Sequence, residues 1–284
     1  MFGLIPRIVW SKWFPPGVID EQNRMPLQTN ALLLSSGGKL VVVEVGIGDK
    51  LSPKEHAMYT QEMQPSGPNA GRPRAIHDAL HEAGARPEDV SAVVCTHLHF
   101  DHAGGLTRLA SPGGDPEKPV LTFPNAEIFT QKQEWEDALA GRSTMNKTYL
   151  RNHLNDEVRE RVRLVEGERE LPVLPGVPGV RVIPTPGHTW GQQVIAIDAS
   201  VRGERRTVVF CSDVMPTARH CRPTTNLAYD VEPYTSMLER VKLLDRAADE
   251  RWILVLDHEP GHAVFTVRRD TEKPGLHVLE EASL

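Results

Sequence analysis

Length, composition and charge place this chain among ordinary globular proteins. It has 284 residues, of which 39% are hydrophobic and 25% are charged, a balance typical of soluble domains. The net charge of −6 offers no basic surface for nucleic acid, and no apolar run is long enough to span a bilayer. The first residues lack the order of a signal peptide, so we expect a cytoplasmic protein. Three cysteines without close spacing, Cys95, Cys211 and Cys221, argue against a disulfide framework.

The N-terminal half predicts a hairpin, a helix and then a buried strand. Residues 1–27 lack regular periodicity and predict an irregular segment packed on the body of the protein. Two apolar runs on either side of a Gly-Gly turn predict a β-hairpin over 31–45, and residues 49–72 are interpreted as a polar excursion. The spacing of apolar residues predicts a helix over 75–83, and the apolar run 92–95 predicts a buried strand.

The remaining elements alternate between strands and helices. Helices are predicted over 132–140, 148–162 and 234–249, the last with a clear apolar face. Strands are predicted over 126–129, 180–183, 194–197, 208–211, 252–256 and 263–267. Two sheets packed together with helices outside would bury these apolar runs. The pattern therefore predicts a single α/β domain over residues 1–284.

The most informative segment follows the strand at 92–95. Within six residues, and just before Ala-Gly-Gly, it carries four ligand-type side chains: His97, His99, Asp101 and His102. Imidazole and carboxylate together suit zinc, iron or manganese, and their alternation lets one turn face two metal ions. A purely structural role does not readily explain four such residues in this order. The turn therefore predicts a metal site.

Three further segments place ligand-type residues at the ends of apolar runs. His188 lies in a glycine-flanked turn between two predicted strands, Asp213 just past another strand, and His258 past the strand at 252–256. Each is weak evidence alone, because a turn histidine or a strand-end aspartate is usually structural. Their shared position at strand ends favours a common site. His258 is favoured over the nearby His262 because it follows its strand directly.

These motifs resemble those of the metallo-β-lactamase superfamily of αββα hydrolases. The resemblance rests on the histidine-rich turn at 97–102, the Pro-Gly-His-Thr turn around His188, Asp213 and His258, in this order. It implies an α/β fold, a four-layer αββα sandwich in which two mixed β-sheets are flanked by helices. Further segments look like the branch that contains bacterial lactone hydrolases: Asn23-Arg24-Met25, Gly46-x-Gly48-Asp49-Lys50 and Tyr229-Asp230-x-Glu232-Pro233.

The resemblance implies a dinuclear metal centre. By this resemblance the ligands of the first ion are His97, His99 and His188. The ligands of the second ion are Asp101, His102 and His258, and Asp213 bridges the two ions. Two divalent ions are implied, zinc first, with iron, manganese or cobalt as alternatives. A hydroxide that bridges the ions would attack a carbonyl, with Asp101 and Asp213 as catalytic residues. Glu44 stands where relatives carry an aspartate, which indicates altered support for the site.

Two departures from the family narrow the substrate. Asp213 stands where the main zinc β-lactamases have a cysteine, which argues against antibiotic hydrolysis. Pro216 stands where signalling-lactone hydrolases usually have a tyrosine that contacts the substrate carbonyl, and Tyr229 is the candidate to replace it. We expect a partly apolar pocket for a lactone or carboxylic ester. The candidate substrate-binding residues are Phe100, Met215, His220 and Tyr229.

Other functions remain open at this point. The same two-metal chemistry would suit a phosphotriester or phosphodiester, because a hydroxide can attack phosphorus as well as carbon. Some relatives hold a single iron and perform redox or dioxygenase chemistry, and for these we expect one metal ion per chain. The implied partner is a small-molecule substrate, nucleic acid and membrane are not expected, and a homodimer is left open. Five histidines without supporting context, His153 among them, are expected at the surface.

Overall fold

The computed structural model describes residues 1–59, 73–140, 146–171 and 179–284. Contacts within the chain divide it into two compact units. The N-terminal unit covers Ala31–Glu166, and the C-terminal unit joins Met1–Asn30 to Gly167–Leu171 and Gly179–Leu284. One domain over the whole chain stays a prediction.

The described residues form seven α-helices and fourteen strands. The α-helices are α1 (Arg7–Trp10), α2 (Pro53–Tyr59), α3 (Ile76–Glu82), α4 (Phe100–Ala103), α5 (Lys132–Ala140), α6 (Asp156–Arg161) and α7 (Pro233–Glu250). The strands are β1 (Leu32–Ser36), β2 (Lys39–Val43), β3 (Val90–Val94), β4 (Thr107–Arg108), β5 (Val120–Leu121), β6 (Glu127–Gln131), β7 (Val162–Val165), β8 (Arg169–Glu170), β9 (Val180–Pro184), β10 (Gln193–Val201), β11 (Glu204–Phe210), β12 (Ile253–Val255), β13 (Val264–Arg269) and β14 (His277–Glu281). Among the described residues, no helix has the length and apolar character needed to cross a membrane.

The N-terminal unit is built on a five-stranded mixed sheet in the order β1-β2-β3-β6-β7. The predicted hairpin is confirmed, because β1 and β2 pair antiparallel across the Gly-Gly turn. The next neighbours run parallel, and the valines of β2 and β3 form the continuous apolar runs typical of buried parallel strands. Val43 pairs with Val94. The chain therefore leaves both strands at the same edge, where Glu44 and the histidine-rich turn follow.

The C-terminal unit is built on a seven-stranded mixed sheet in the order β14-β13-β12-β11-β10-β9-β8. Neighbours pair antiparallel except β11 and β12, which run parallel and are joined through α7, because a parallel pair needs a long crossover. The register sets Phe210 beside Val255. Asp213 and His258 each follow three positions later, so the sheet brings both to one edge. The two mixed sheets with their helices confirm the predicted α/β class.

The N-terminal segment is more regular than the sequence indicates. Residues Arg7–Trp10 form α1, and a 3-10 turn follows at Ser11–Trp13. Aromatic side chains pack around Phe2, whose ring centroid lies 5.7 Å from that of Trp10 and 5.1 Å from that of Trp13. This segment is held by contacts between aromatic rings and has no periodic apolar face. Apolar periodicity in the sequence therefore does not reveal its helix.

Three other elements differ from the predicted ones. The helix predicted over 148–162 is confined to α6, because the Asn155 side chain caps its start by accepting the backbone N–H of Val158 at 3.0 Å. Part of the predicted polar excursion forms α2, and residues 60–72 lie outside the described residues. The sequence pattern does not predict β14. In the structure its residues are half-buried or exposed, without the alternation that a strand with one buried face shows.

Candidate metal centre

The histidine-rich turn follows the buried strand β3. His97 comes first, His99 directly precedes α4, and α4 carries Asp101 and His102. The three imidazoles are at most 3% exposed, whereas the Asp101 side chain is 29% exposed. The ring centroid of His97 lies 4.6 Å from that of His99 and 3.9 Å from that of His102. The turn therefore gathers three rings into one buried cluster beside a carboxylate that reaches solvent.

Glu44 holds this turn with both oxygens of its carboxylate. One oxygen accepts the backbone N–H of Thr96 at 2.5 Å, and the other lies 3.0 Å from Nδ1 of His102. The residue is buried and adopts a left-handed backbone with φ of 64°, which costs a non-glycine residue about 1–2 kcal/mol. The extra methylene relative to aspartate lets one side chain reach both groups. The contact at Nδ1 leaves Nε2 as the nitrogen that His102 can present to a metal ion.

The Ala-Gly-Gly sequence after the turn has a steric cause. A Cβ on Gly104 would lie 2.2 Å from the carbonyl oxygen of Ile47, and a Cβ on Gly105 would lie 2.2 Å from that of Val45. Both distances are far inside van der Waals contact, so any side chain would push the loop after β2 away. The two glycines therefore keep the loop that carries Glu44 against the metal turn.

A second buried carboxylate, Glu134 on α5, supports the same turn and has no signal in the sequence. Its Oε1 accepts the backbone N–H of Leu98 at 2.9 Å and the hydroxyl of Tyr149 at 3.0 Å. Burial and the Glu134 carboxylate raise the pKa of Tyr149, so the phenol stays a donor. The Tyr149 ring centroid lies 5.0 Å from that of His99. In the sequence Glu134 is only one of several acidic residues in the helix predicted over 132–140.

In the C-terminal unit, Asp213 lies between two histidines. Its Oδ2 is 3.0 Å from Nε2 of His188, and its Oδ1 is 3.2 Å from Nε2 of His258. Ligand atoms of Asp213, Asp257 and His258 lie within 4.8 Å of one another, and Asp257 is a further candidate that the sequence does not single out. His262, the competing histidine, is exposed.

The charges of this cluster favour a cation. Burial opposes a charge on His188, but the carboxylates of Asp213 and Asp230 outweigh burial and raise the pKa of this histidine to about 10. Burial would raise the pKa of Asp213, whereas His188 and His258 hold it well below its usual range. Asp213 therefore stays an anion, and a positive charge beside it is stabilised.

Both histidines of this cluster are oriented through Nδ1 by a protein oxygen. Nδ1 of His188 lies 3.0 Å from the carboxylate of Asp230, and Nδ1 of His258 lies 2.7 Å from the carbonyl oxygen of Gln28. Each contact leaves Nε2 as the nitrogen turned toward Asp213. Contacts within the protein therefore fix the orientation of both rings.

Gly187 allows the turn at His188. Its φ is 139°, and a Cβ there would lie 2.4 Å from the backbone nitrogen of Ser236 on α7. Only glycine lets the turn approach the helix this closely, which explains the Pro-Gly-His-Thr motif.

Each unit carries residues of the types that bind a divalent metal ion. Buried imidazoles and carboxylates are the ligands that zinc, iron and manganese take in proteins. The oxygens of Glu44, Asp230 and Gln28 each engage one ring at Nδ1, and metal-ligating histidines show this arrangement because it fixes the tautomer. The predicted ligands, which stay a prediction, are His97, His99, Asp101 and His102 in the N-terminal unit, and His188, Asp213 and His258 in the C-terminal unit.

The candidate substrate residues differ in exposure. Tyr229 is 40% exposed, and its ring centroid lies 5.7 Å from that of His188. Phe100 is half-buried, and its ring centroid lies 5.1 Å from that of Tyr59, an aromatic neighbour that the sequence does not indicate. Met215 is fully buried in the hydrophobic core of the C-terminal unit.

Two other histidines are buried. His220, the fourth substrate candidate, stacks on Phe2 with ring centroids 5.0 Å apart, and burial lowers its pKa to about 3. The expected surface position of His153 is wrong, because its segment packs inward beside the buried Tyr149. Burial, assisted by the Lys50 charge, holds the pKa of His153 well below its usual range. Both rings are therefore neutral.

This chain is similar to known proteins. A family model of the metallo-β-lactamase superfamily matches residues 24–258. An N-acyl homoserine lactonase of Bacillus thuringiensis is 30% identical over 185 residues, which cover 65% of this chain and 62% of that protein. The chain thus aligns with less than two thirds of the length of this relative.

Solved structures extend the likeness to the whole chain. A probable metal-dependent hydrolase from Staphylococcus aureus aligns over 100% of this chain and 92% of its own, with a TM-score of 0.79 and 25% identity. AidC, a dizinc quorum-quenching lactonase, aligns over 91% of this chain and 80% of its own, with a TM-score of 0.66 and 20% identity. At that identity the second likeness is one of fold.

The two mixed sheets, with candidate metal-ligating residues at their strand ends, define an α/β protein with a candidate metal centre. The family match covers most of the chain. The chain belongs to the metallo-β-lactamase superfamily, and the predicted resemblance to its lactonase-like branch is confirmed.

Proposed function

We propose that this chain hydrolyses a lactone or a carboxylic ester at a centre of two divalent metal ions, with zinc as the first choice and iron, manganese or cobalt as alternatives. The observation that carries the proposal is the position of Asp213, which turns one carboxylate oxygen to each of His188 and His258. A carboxylate that bridges two cations can present one oxygen to each, and the orientation of Asp213 toward both histidines supports such a role.

The ligands divide between the two ions. His97, His99 and His188 would hold the first ion, Asp101, His102 and His258 would hold the second, and Asp213 would serve both. Two such ions would supply an activated water and a positive charge for the substrate carbonyl oxygen. AidC, which has the same fold, is a dizinc enzyme, and this supports the pair.

Residues of the chain account for the proton and for the geometry. Water adds to the acyl carbon, the bond between this carbon and the ester or ring oxygen breaks, and the proton lost by the water ends on the departing alcohol. Asp101 carries this proton, because its side chain is partly exposed while the imidazoles around it are buried. Glu44 and Asp230 hold the rings of two histidine ligands in place throughout.

We propose that Tyr229 and Phe100 contact the substrate. The Tyr229 hydroxyl lies 3.0 Å from the sulfur of Met1, a weak acceptor that a substrate carbonyl can replace. Phe100 offers an apolar surface next to Asp101. Met215 and His220 are the weaker candidates, because both are fully buried. This lining favours an ester or lactone with an apolar substituent, and the N-acyl homoserine lactonase relatives support an acylated lactone.

The test combines metal counting with a substrate panel. Metal-reconstituted protein is assayed on lactones, aryl esters and phosphotriesters, together with His102→Ala and, as a matched control, His262→Ala. We expect two ions per chain and fastest turnover of a lactone or ester. His102→Ala should lose one ion and most activity while its circular dichroism spectrum is unchanged, and His262→Ala should lose neither.

Three outcomes would contradict the proposal. Full activity of His102→Ala would remove the two-metal mechanism. Faster turnover of phosphotriesters would assign the other class of substrate. One redox-active iron per chain would indicate oxidation chemistry in place of hydrolysis.

A further inference from the structure

Arg240 on α7 is a fully buried arginine that the proposed reaction does not use. Burial lowers its pKa to about 10, against the opposing effect of the Asp230 carboxylate, so the guanidinium is charged at neutral pH. In the part of the chain that the structure describes, no carboxylate forms a salt bridge with it. Burial of a charge without such a partner is costly, so the hydrogen bonds of the guanidinium have to offset that cost.

The guanidinium donates to two separate loops of the C-terminal unit. Its Nε donates to the carbonyl oxygen of Val214 at 2.6 Å. Its Nη1 faces acceptors of a second loop: the carbonyl oxygens of Arg222 at 3.4 Å and Pro223 at 3.2 Å, and Oδ1 of Asn226 at 3.1 Å. One planar group therefore ties two loops together.

Both loops lead to the ligand cluster. Val214 directly follows Asp213, the carboxylate that we assign to both ions. The loop at 222–226 leads to Asp230, which orients His188 through Nδ1. Arg240 thus connects the segment of one ligand with the segment that holds the ring of another.

We propose that Arg240 is a positioning residue of the metal centre. By fixing the Asp213 loop relative to the Asp230 loop, it keeps Asp213 and His188 in place for a metal ion. The inference rests on the proposed function. A guanidinium suits this task because its planar fork donates in several fixed directions, whereas a lysine ammonium is a compact charge on a flexible stem.

A purely structural role is the competing explanation. The hydrophobic core of the unit includes side chains of the same helix, those of Leu243, Leu244 and Ala247. Arg240 lies one helical turn before the first two of them. Loss of a core contact would lower stability without altering the metal site. A readout at the metal ion itself separates the two roles.

The test compares Arg240→Lys with Leu244→Ala. Each full-length protein is titrated with Co²⁺ against a competing chelator, and the visible absorption spectrum of the loaded protein is recorded. Thermal unfolding of the metal-free proteins gives the stability of each variant. We expect Arg240→Lys to bind Co²⁺ about 10–100-fold more weakly, the usual effect of removing support behind a ligand, with a changed spectrum. Leu244→Ala leaves a cavity and lowers the melting temperature, with affinity and spectrum unchanged.

Any of the following outcomes overturns the inference. It fails if Arg240→Lys folds and matches the wild type in affinity and spectrum, or if Leu244→Ala changes the spectrum equally. Should Arg240→Lys not fold, Asn226→Ala, which removes one acceptor only, decides: we expect a smaller loss of affinity in the same direction, and no loss refutes the role. A wild-type protein that binds no Co²⁺ refutes the proposed function, and the inference with it.

Discussion

Shortening Glu44 to aspartate tests how the N-terminal ligands are held. The glutamate carboxylate reaches the backbone N–H of Thr96 at 2.5 Å with one oxygen and Nδ1 of His102 at 3.0 Å with the other. Glu44→Asp withdraws the carboxylate by one carbon–carbon bond, about 1.5 Å. A contact lengthened by that amount is no longer a hydrogen bond, so the aspartate cannot keep both.

The size of the effect follows from which contact is lost. If the aspartate releases Thr96, a buried backbone N–H is left without an acceptor, and the free energy of unfolding falls by about 1–3 kcal/mol. If it releases His102, the ring loses the oxygen that orients it, and metal affinity falls about 10–100-fold. At least one of these losses has to appear.

Two measurements on the same protein distinguish these losses. Urea unfolding in the presence of a chelator gives the stability of the metal-free protein, and competition with a chelator gives its affinity for Zn²⁺. Glu127→Asp is the matched control, because Glu127 pairs with Arg163 at the surface of the same unit and its shortening should change stability by less than about 0.5 kcal/mol. If Glu44→Asp keeps both wild-type values, the double contact does not hold the turn.

Four further predictions concern charge, support, metal and substrate. Burial lowers the pKa of Lys50 to about 8 from 10.5, so the unfolded chain binds more protons than the folded chain between these pH values. The free energy of unfolding, measured in urea relative to Lys50→Met, should therefore rise by about 2 kcal/mol from about pH 7 to about pH 9.5. A difference that does not change with pH would contradict this. Asp230→Asn removes the carboxylate at Nδ1 of His188 and should weaken Zn²⁺ binding at least about 10-fold in chelator competition, whereas equal affinity would show that the contact is incidental. Dialysis against a chelator should lower stability by about 4 kcal/mol relative to metal at 1,000 times its dissociation constant, and a melting temperature independent of metal would argue against a resident ion. Tyr229→Phe should raise KM with little change in kcat, while Tyr234→Phe, a control at an exposed position, should change neither; equal KM values would remove Tyr229 from the substrate contacts.

The ligand-type residues could be predicted because each belongs to a short local pattern. A polar residue just past an apolar run lies at the end of a strand, and parallel neighbours bring such ends together. Phe210 and Val255 are paired in the sheet, and Asp213 and His258 follow each of them by three residues. Nothing beyond strand periodicity and ligand chemistry is needed for this step.

The residues that support the ligands could not be predicted in the same way. Glu134 bonds a backbone group 36 positions away, Asp230 bonds a ring 42 positions away, and Arg240 bonds a carbonyl 26 positions away. Each is a charged residue, a type usually found at the surface, and only tertiary packing shows which are buried. The inward position of His153 is missed for the same reason.

Several unfavourable features lie next to the ligand residues. Glu44 adopts a left-handed backbone immediately before the loop that contacts the metal turn, and Ser212 does so immediately before Asp213. Arg240 is a buried charge whose hydrogen bonds serve the loop of Asp213. Strained backbone and buried charge each lower stability, and folds retain them mainly where function requires a fixed geometry. Two of the five left-handed non-glycine residues in the described part of the chain, Glu44 and Ser212, thus lie beside candidate ligand segments, where the proposed metal centre requires a fixed geometry.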